Sequence, residues 1–222
     1  AERMLLIPEY LSYRLTGVMK NEYTMVSTTA LTNGVTRDWD YALLEKLGFP
    51  KKLFGKIYEP GEVVGEFSKE IQERVGFNAK VLMCPAHDTA SAVAAIPGKG
   101  SFAFCSSGTW SLFGAEMDKP DLSEDALKRG FSNEGTIQGG FRPLKNIMGM
   151  WLVNNLQKEL CPETPFPEIV KLAEESECRI LVDANAQEFL APESMKAAFD
   201  KATDGGLKTP GDYFSCAYRS LA

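Results

Sequence analysis

Residues 84–114 read CPAHDTASAVAAIPGKGSFAFCSSGTWSLFG and bear on the fold more than any other stretch of the chain. The apolar run that ends at Cys84 predicts a buried strand, and the small residues at 89–95 predict a closely packed helix. Two further apolar runs flank Ser-Ser-Gly-Thr at residues 106–109, a pattern typical of a β-hairpin. A strand, a helix and a hairpin in this order predict an α/β chain.

The clearest break in the sequence is Pro97-Gly98-Lys99-Gly100. We place a domain junction there, so that residues 1–97 and 98–222 belong to two domains, with a hinge between them. Around this break, apolar spacing predicts helices at residues 4–16, 22–31, 38–47, 69–75, 148–160, 166–176, 192–203 and 211–221, and a strand at 179–182. Residues 118–146 are polar and rich in glycine, and predict loops and turns.

Composition excludes several classes of protein. The 222 residues are 44% hydrophobic and carry a formal net charge of -6 without a basic block, so neither a nucleic acid nor an anionic membrane is an expected partner. No apolar run approaches the length of a membrane span. The apolar N-terminal stretch predicts a buried helix rather than a signal peptide. The first residue is Ala1 and the last residues lie in a helical run, so we expect a piece of a longer protein.

The cysteines predict free thiols rather than a disulfide framework or a metal site. There are five, an odd number, and their spacings are wide and include no Cys-x-x-Cys pair. Such usage fits a reducing cytoplasm. Cys84 and Cys105 stand in apolar runs, where a thiol usually packs as a small hydrophobic group.

His87 and Asp88 form the sharpest candidate site. Asp88 follows a strand and precedes a helix, the position at which open α/β sheets place ligand-binding groups. Its carboxylate could accept a hydroxyl proton as a general base, or it could only cap the helix that begins at Thr89. His87 is the only histidine of the chain, which excludes sites that need several histidine ligands.

The Ser-Ser-Gly-Thr turn at residues 106–109 is the second candidate. Glycine removes the Cβ that blocks close approach of a phosphate, and hydroxyl groups can donate to its oxygens. The same residues also suit an ordinary hairpin turn, and the Gly-Lys-Ser/Thr of a Walker A loop is absent. Asn146 could bind a polyol hydroxyl or serve as a cap or turn residue. Trp110 and Trp151 are expected in the core.

Taken together, PAHDTASAVAA, SSGTWSLFG, SNEG and LKNIMGMWLVNNL resemble the FGGY family of sugar kinases. The resemblance extends to EYLSYRLTG, PGEVVG, CRILVDAN and FLAPESM, and so spans nearly the whole chain. It implies two actin-like (ribonuclease H-like) α/β domains with a cleft between them. On this basis residues 1–97 match the end of the sugar-binding domain and residues 98–222 match the start of the nucleotide-binding domain.

The resemblance also implies a function and roles for individual residues. Asp88 matches the base that accepts the proton of the sugar's primary hydroxyl, and His87, Thr89 and Asn146 match sugar contacts. The implied substrate is a ketose, a deoxy-ketose such as L-rhamnulose or another such as L-fuculose. A non-catalytic actin-like module that binds sugar or nucleotide is the alternative from another class.

For the nucleotide side the resemblance implies ATP, with Mg²⁺ on its phosphates. Thr109, with Gly108 beside it, matches a residue at the ATP phosphates. Asn154 falls where a glutamine near the nucleotide is expected, and is one methylene shorter. The first phosphate loop with its Mg²⁺-associated aspartate, and the adenosine motif, are expected outside residues 1–222. The isolated chain is therefore expected to transfer no phosphate.

Overall fold

The structure, a computed structural model, describes residues 1–98, 100 and 102–222. Lys99 and Ser101 lie outside the described residues, so the predicted junction at 97–100 and the first predicted hairpin strand fall partly outside them. The chain divides into two compact units, which we describe separately. The first comprises Ala1–Phe104 and Gly114–Lys145, and the second comprises Cys105–Phe113 and Asn146–Ala222. The domain boundary at residue 97 stays a prediction.

Helices and strands alternate along much of the described chain. The α-helices are α1 (Ile7–Thr16), α2 (Tyr23–Val26), α3 (Tyr41–Lys46), α4 (Lys69–Val75), α5 (Asp88–Ala94), α6 (Glu124–Lys128), α7 (Trp151–Leu160), α8 (Phe166–Glu175), α9 (Met195–Ala202) and α10 (Pro210–Leu221). The strands are β1 (Asn21–Glu22), β2 (Ile57–Tyr58), β3 (Val63–Glu66), β4 (Lys80–Leu82), β5 (Ala103–Ser107), β6 (Ser111–Ala115), β7 (Ser132–Gly135) and β8 (Phe141–Ile147).

The strands that the structure describes form three sheets. β1 and β2 pair in parallel, β3 and β4 pair antiparallel, and a four-stranded sheet has the order β5-β6-β8-β7. β7 and β8 are antiparallel, and their register sets Glu134 directly opposite Arg142. Side chains of directly opposite residues lie on one face and are close enough to interact. This register brings two charged side chains together in the first unit.

The first unit has a small apolar cluster, and its first helix contributes unexpectedly little to burial. The cluster comprises Val26, Trp39, Leu44 and Phe54. The predicted burial of the N-terminal helix is wrong: Ile7 on α1 is 73% exposed, and the buried residue of this helix is Glu9. The Glu9 carboxylate accepts hydrogen bonds from the Leu6 and Glu22 N–H groups and from the Asn21 amide. The helix is thus anchored by the buried Glu9 carboxyl group. Burial removes this group from water and raises its pKa.

Four helices of the second unit enclose a larger core. α8 and α10 pack on each other, and α7 packs on both α9 and α10. Side chains of these helices that are fully shielded from solvent include Leu152, Leu156, Ile169, Phe199 and Phe214. The α10 helix begins with a capping box in which Thr209 and Asp212 exchange hydrogen bonds, with Pro210 at its first position.

The structure confirms some predicted elements and corrects others. The hairpin and the helices α4, α8 and α10 are present, within one or two residues of their predicted bounds. Residues 179–182 form no strand, and the predicted helix at 192–203 begins only at Met195, after its Ser194 cap. The predicted loop region at 118–146 contains α6, β7 and most of β8. Its glycines mark the turns between these strands, and they obscured the strands themselves.

Candidate active site

The loop between β4 and α5, which carries His87, is held by two buried residues from the start of the chain. The Glu22 carboxylate accepts the Ala86 N–H at 3.1 Å, and the Thr24 hydroxyl accepts the His87 N–H at 3.4 Å. Thr24 in turn donates its hydroxyl proton to Glu22 at 2.6 Å. Because Glu22 and Thr24 are 1% and 0% exposed, these bonds are shielded from competing water. The backbone that leads into Asp88 is therefore fixed from outside its own segment.

Asp88 projects into solvent from the start of α5, with its side chain 97% exposed. Its Oδ1 atom accepts the Thr89 N–H at 2.6 Å and lies 3.3 Å from the Thr89 hydroxyl, which can donate to it. The expectation that Asp88 caps a helix beginning at Thr89 is corrected. The helix begins at Asp88 itself, and His87 occupies the cap position without a side-chain bond. Among the described residues, Oδ2 is the carboxylate oxygen left for a ligand proton.

His87 lies between Asp88 and a buried ion pair. Its side chain is 18% exposed, and its Nε2 atom is 3.8 Å from Asp88 Oδ1. On the other side of the ring, Nδ1 lies 3.2 Å from Arg142 Nη2 and 3.3 Å from Glu134 Oε2. Both ring nitrogens of the single histidine face charged groups, so His87 is not an isolated core residue.

Sequence reasoning missed Glu134 and Arg142. Arg142 is fully buried, and its Nη2 donates to Glu134 Oε2 at 3.0 Å while Nε donates to the Gly135 carbonyl at 3.1 Å. The pKa of the Arg142 guanidinium is lowered by burial, although Glu134, Glu116, Asp88 and Glu22 oppose the shift. The one available signal was a charged residue inside the apolar run Phe141–Leu144.

In the second unit, residues Gly108–Trp110 form the end of the β5–β6 hairpin, called the hairpin bend below. The Gly108 carbonyl accepts the Met150 N–H and the Thr109 carbonyl accepts the Trp151 N–H, both at 2.9 Å. Gly149 makes this approach possible: a Cβ there would lie 2.8 Å from the Gly108 oxygen. The bend is therefore held to the start of α7 by main-chain bonds, and Gly108 and Thr109 stay exposed.

Two other predicted site residues lie in the second unit, and three burial predictions are corrected. Asn146 is exposed on β8, and Asn154 is half-buried on α7, both in the second unit. Trp110, expected in the core, is 46% exposed, whereas Trp151 is half-buried and donates to the Phe189 carbonyl. Cys84 and Cys105, expected to pack inside, are exposed. The preceding residues explain the exposure of both cysteines. Met83 and Phe104 are buried, and in an extended chain the next side chain points to the opposite side.

The described residues include neither a clustered metal site nor a helix that could span a membrane. Residues 1–98, 100 and 102–222 contain no group of three or more histidine, cysteine, aspartate or glutamate side chains that could hold a metal ion. Within the same ranges, each helix is too short or too polar to cross a bilayer.

Residues 1–95 match the family described as "FGGY family of carbohydrate kinases, N-terminal domain". Relatives similar to the whole chain are named rhamnulokinase. The one from Oceanobacillus iheyensis is 38% identical over 226 residues, covering 100% of this chain and 48% of the relative. The one from Mannheimia succiniciproducens is 43% identical over 227 residues, covering 98% and 45%. The chain thus spans about half the length of the curated relatives it matches.

Solved sugar kinases share the fold. A ligand-bound xylulose kinase from Lactobacillus acidophilus superposes with a TM-score of 0.78 at 16% identity, covering 100% of this chain and 46% of that one. A gluconate kinase from the same organism gives a TM-score of 0.74 at 18% identity, covering 100% and 46%. At such low identities the likeness concerns the fold alone, which is the α/β actin-like fold of sugar kinases. The family match over residues 1–95 and the whole-chain similarity to rhamnulokinases both point to the FGGY family of carbohydrate kinases.

Proposed function

We propose that the protein to which this chain belongs transfers a phosphoryl group from ATP to the primary hydroxyl of a ketose, with Asp88 as the general base. L-Rhamnulose is the first candidate substrate, because the relatives that match the whole chain at 37–43% identity are named rhamnulokinase. The observation that carries the proposal is the Asp88 carboxylate, which is solvent-exposed, engaged by Thr89 through Oδ1 only, and flanked by His87.

The chemistry assigned to Asp88 is a proton transfer. As the oxygen of the primary hydroxyl attacks the γ-phosphorus, the O–H bond breaks and the proton passes to Asp88 Oδ2, while ADP departs. Little covalent work is needed from a protein in phosphoryl transfer, and positioning and charge stabilisation dominate. The two Thr89 bonds restrain the carboxylate through Oδ1 and so orient Oδ2. This arrangement suits a base better than a freely rotating surface carboxylate.

His87, Thr89 and Asn146 are proposed to bind the sugar. Thr89 is 6% exposed and bonded to Asp88. Its proposed role is to orient the Asp88 carboxylate and, through it, the primary hydroxyl of the sugar. His87 presents Nε2 on the Asp88 side of its ring. Asn146 offers an exposed amide that can both donate to and accept from a polyol.

The hairpin bend is proposed to face the ATP phosphates. Its donor chemistry fits them, since Gly108 has no side chain and the exposed Thr109 hydroxyl can donate to a phosphate oxygen. Asn154 is proposed to lie near the nucleotide, and bound ATP would supply the phosphoryl group. Among the described residues, no group of three or more histidine, cysteine or carboxylate side chains could hold Mg²⁺, so these residues do not fit this ion by themselves.

The test replaces Asp88 by asparagine in the complete encoded polypeptide. A positioned general base contributes roughly 10²- to 10⁴-fold, so kcat for sugar-dependent ADP release should fall by about that factor with little change in sugar affinity. Asp125→Asn is the matched control, because Asp125 is also an exposed aspartate at a helix start and is paired with Arg129. An Asp88→Asn enzyme within a few-fold of the parent would remove Asp88 from this role.

The same assay discriminates the remaining alternatives. A panel of ketoses that includes L-rhamnulose, L-fuculose and D-xylulose ranks the substrates by kcat/KM. Binding of sugar or nucleotide without ADP release from any of them would favour the non-catalytic module. The 222 residues alone are expected to release no ADP, which stays a prediction until they are assayed separately.

A further inference from the structure

The side chain of Arg142 is unusual because it is wholly buried yet incompletely satisfied. Nη2 and Nε have partners in Glu134, His87 and Gly135, but Nη1 is buried and has no hydrogen-bond partner among the described residues. Leaving a buried charged donor without a partner costs stability, and such groups in folded proteins need an explanation. The hydrogen bonds that the guanidinium does make therefore need a functional explanation.

The guanidinium determines which ring nitrogen of His87 is protonated, because arginine can only donate hydrogen bonds. A guanidinium carries N–H donors and no acceptor, and it keeps its proton in proteins. Arg142 Nη2 approaches His87 Nδ1 with hydrogen-bond geometry at 3.2 Å. That bond exists only when Nδ1 carries a lone pair and no proton. In neutral imidazole the proton then sits on Nε2.

Glu134 completes the arrangement by fixing the guanidinium. It stands directly opposite Arg142 in the β7–β8 register and binds Nη2 at 3.0 Å, with its side chain 13% exposed. Glu134 Oε2 is also 3.3 Å from His87 Nδ1, but two unprotonated acceptors do not bind each other. Without the guanidinium, a proton on Nδ1 could bind Glu134, and the opposite tautomer would be favoured.

We propose that Glu134 and Arg142 are positioning residues that hold His87 as its Nε2–H tautomer, so that the ring donates a hydrogen bond to a sugar oxygen beside Asp88. Nε2 is the ring atom on the Asp88 side, 3.8 Å from its Oδ1. The ligand atom served is an acceptor, a hydroxyl or carbonyl oxygen of the ketose. The role in sugar binding rests on the proposed function, whereas the tautomer does not.

The tautomer can be read directly, because His87 is the only histidine of the 222 residues. In protein labelled with ¹⁵N-histidine at pH 8, long-range ¹H–¹⁵N spectra distinguish the unprotonated from the protonated ring nitrogen. Nδ1 should give the unprotonated signal and Nε2 the protonated one. If the complete polypeptide contains further histidines, the signals lost in His87→Asn identify those of His87. A protonated Nδ1 in the wild-type protein would overturn the proposal.

Variants test the cause. Arg142→Gln should invert the tautomer, since Glu134 then becomes the nearest partner of Nδ1, whereas Arg142→Lys retains a donor and should keep the wild-type pattern. Arg129→Gln, which removes an exposed arginine from an ion pair with Asp125, is the matched control and should change nothing. If Arg142→Gln fails to fold, Glu134→Gln serves instead and should broaden or mix the two ring signals. Unchanged signals in the folded variant would refute the assignment.

Kinetics of the complete polypeptide test the sugar-binding role. Arg142→Gln should raise KM for the sugar about tenfold or more, while KM for ATP changes less than twofold; Arg142→Lys should restore most of the loss. An equal rise in both KM values, or a loss of thermal stability alone, would assign Arg142 a purely structural role. If the wild-type protein shows the predicted tautomer but no kinase activity, the proposed function fails while the tautomer assignment stands.

Discussion

Replacing Gly149 by alanine should displace the hairpin bend that carries Gly108 and Thr109. Gly149 adopts φ +58°, and a Cβ there would lie 2.8 Å from three atoms, the Gly108 carbonyl oxygen and the amide nitrogen and hydroxyl oxygen of Ser111. Two of these are backbone atoms, which cannot move away as a flexible side chain can. The left-handed conformation costs a non-glycine residue roughly 1–2 kcal/mol, and overpacking costs about 1–3 kcal/mol more.

Gly205 supplies the matched control in the same unit. It adopts φ +67°, but a Cβ there would have no atom within 4 Å. Gly205→Ala should therefore lose only the conformational part, roughly 1–2 kcal/mol. The difference between the two variants, about 1–3 kcal/mol, isolates the collision with the bend.

Urea unfolding monitored by far-UV circular dichroism measures both variants, and comparable m values confirm that the same surface is exposed. The complete polypeptide adds a functional readout, in which Gly149→Ala should raise KM for ATP and Gly205→Ala should not. Equal destabilisation by the two substitutions would refute the reasoning, since it would mean that displacing the hairpin bend costs no measurable free energy.

Two further predictions follow from charges and thiols. Burial raises the pKa of the Cys216 thiol to about 11, so iodoacetamide at pH 8 should alkylate exposed Cys84 and Cys105 well before Cys216, as judged by peptide mass spectrometry; equal rates would contradict this. A hydrogen bond from Ser176 holds the pKa of the Asp212 carboxyl below its usual value, so its stabilisation is present above about pH 4 and is lost as pH falls through the folded-state pKa. Asp212→Asn should cost about 0.3–1 kcal/mol near pH 7, because it removes a negative charge from the first turn of α10. The difference should shrink below pH 4 in urea unfolding, and a gap that stays constant would refute the linkage.

Local signals predicted the elements whose stability is local. α10 is predicted within one residue of its bounds from the apolar spacing of its own residues, and the structure adds the Thr209 cap and Pro210 at its first position. The hairpin is predicted by its glycine-bearing turn for the same reason. Burial was harder to predict, because it depends on which face of a strand meets the rest of the molecule: Phe104 is buried and its neighbour Cys105 is exposed.

The candidate site could be predicted only in part. His87 and Asp88 are adjacent in sequence, so a motif shows them together. Glu134 and Arg142 reach His87 through the register of two strands that the sequence does not reveal, since the run from Phe141 onward contains a proline and lacks alternation. No local pattern indicates that a residue near position 140 contacts one near position 87.

The anchoring of the β4–α5 loop by Glu22 and Thr24 has a consequence for protein engineering. The His87-Asp88 dipeptide looks like a module that could be transplanted, but its backbone N–H partners are supplied from more than sixty residues upstream. A graft of residues 84–94 into another scaffold would carry the chemical groups and leave behind the atoms that aim them. Any attempt to transfer this site must therefore include both residues 84–94 and the segment that carries Glu22 and Thr24. Mutations in one segment are expected to affect the other.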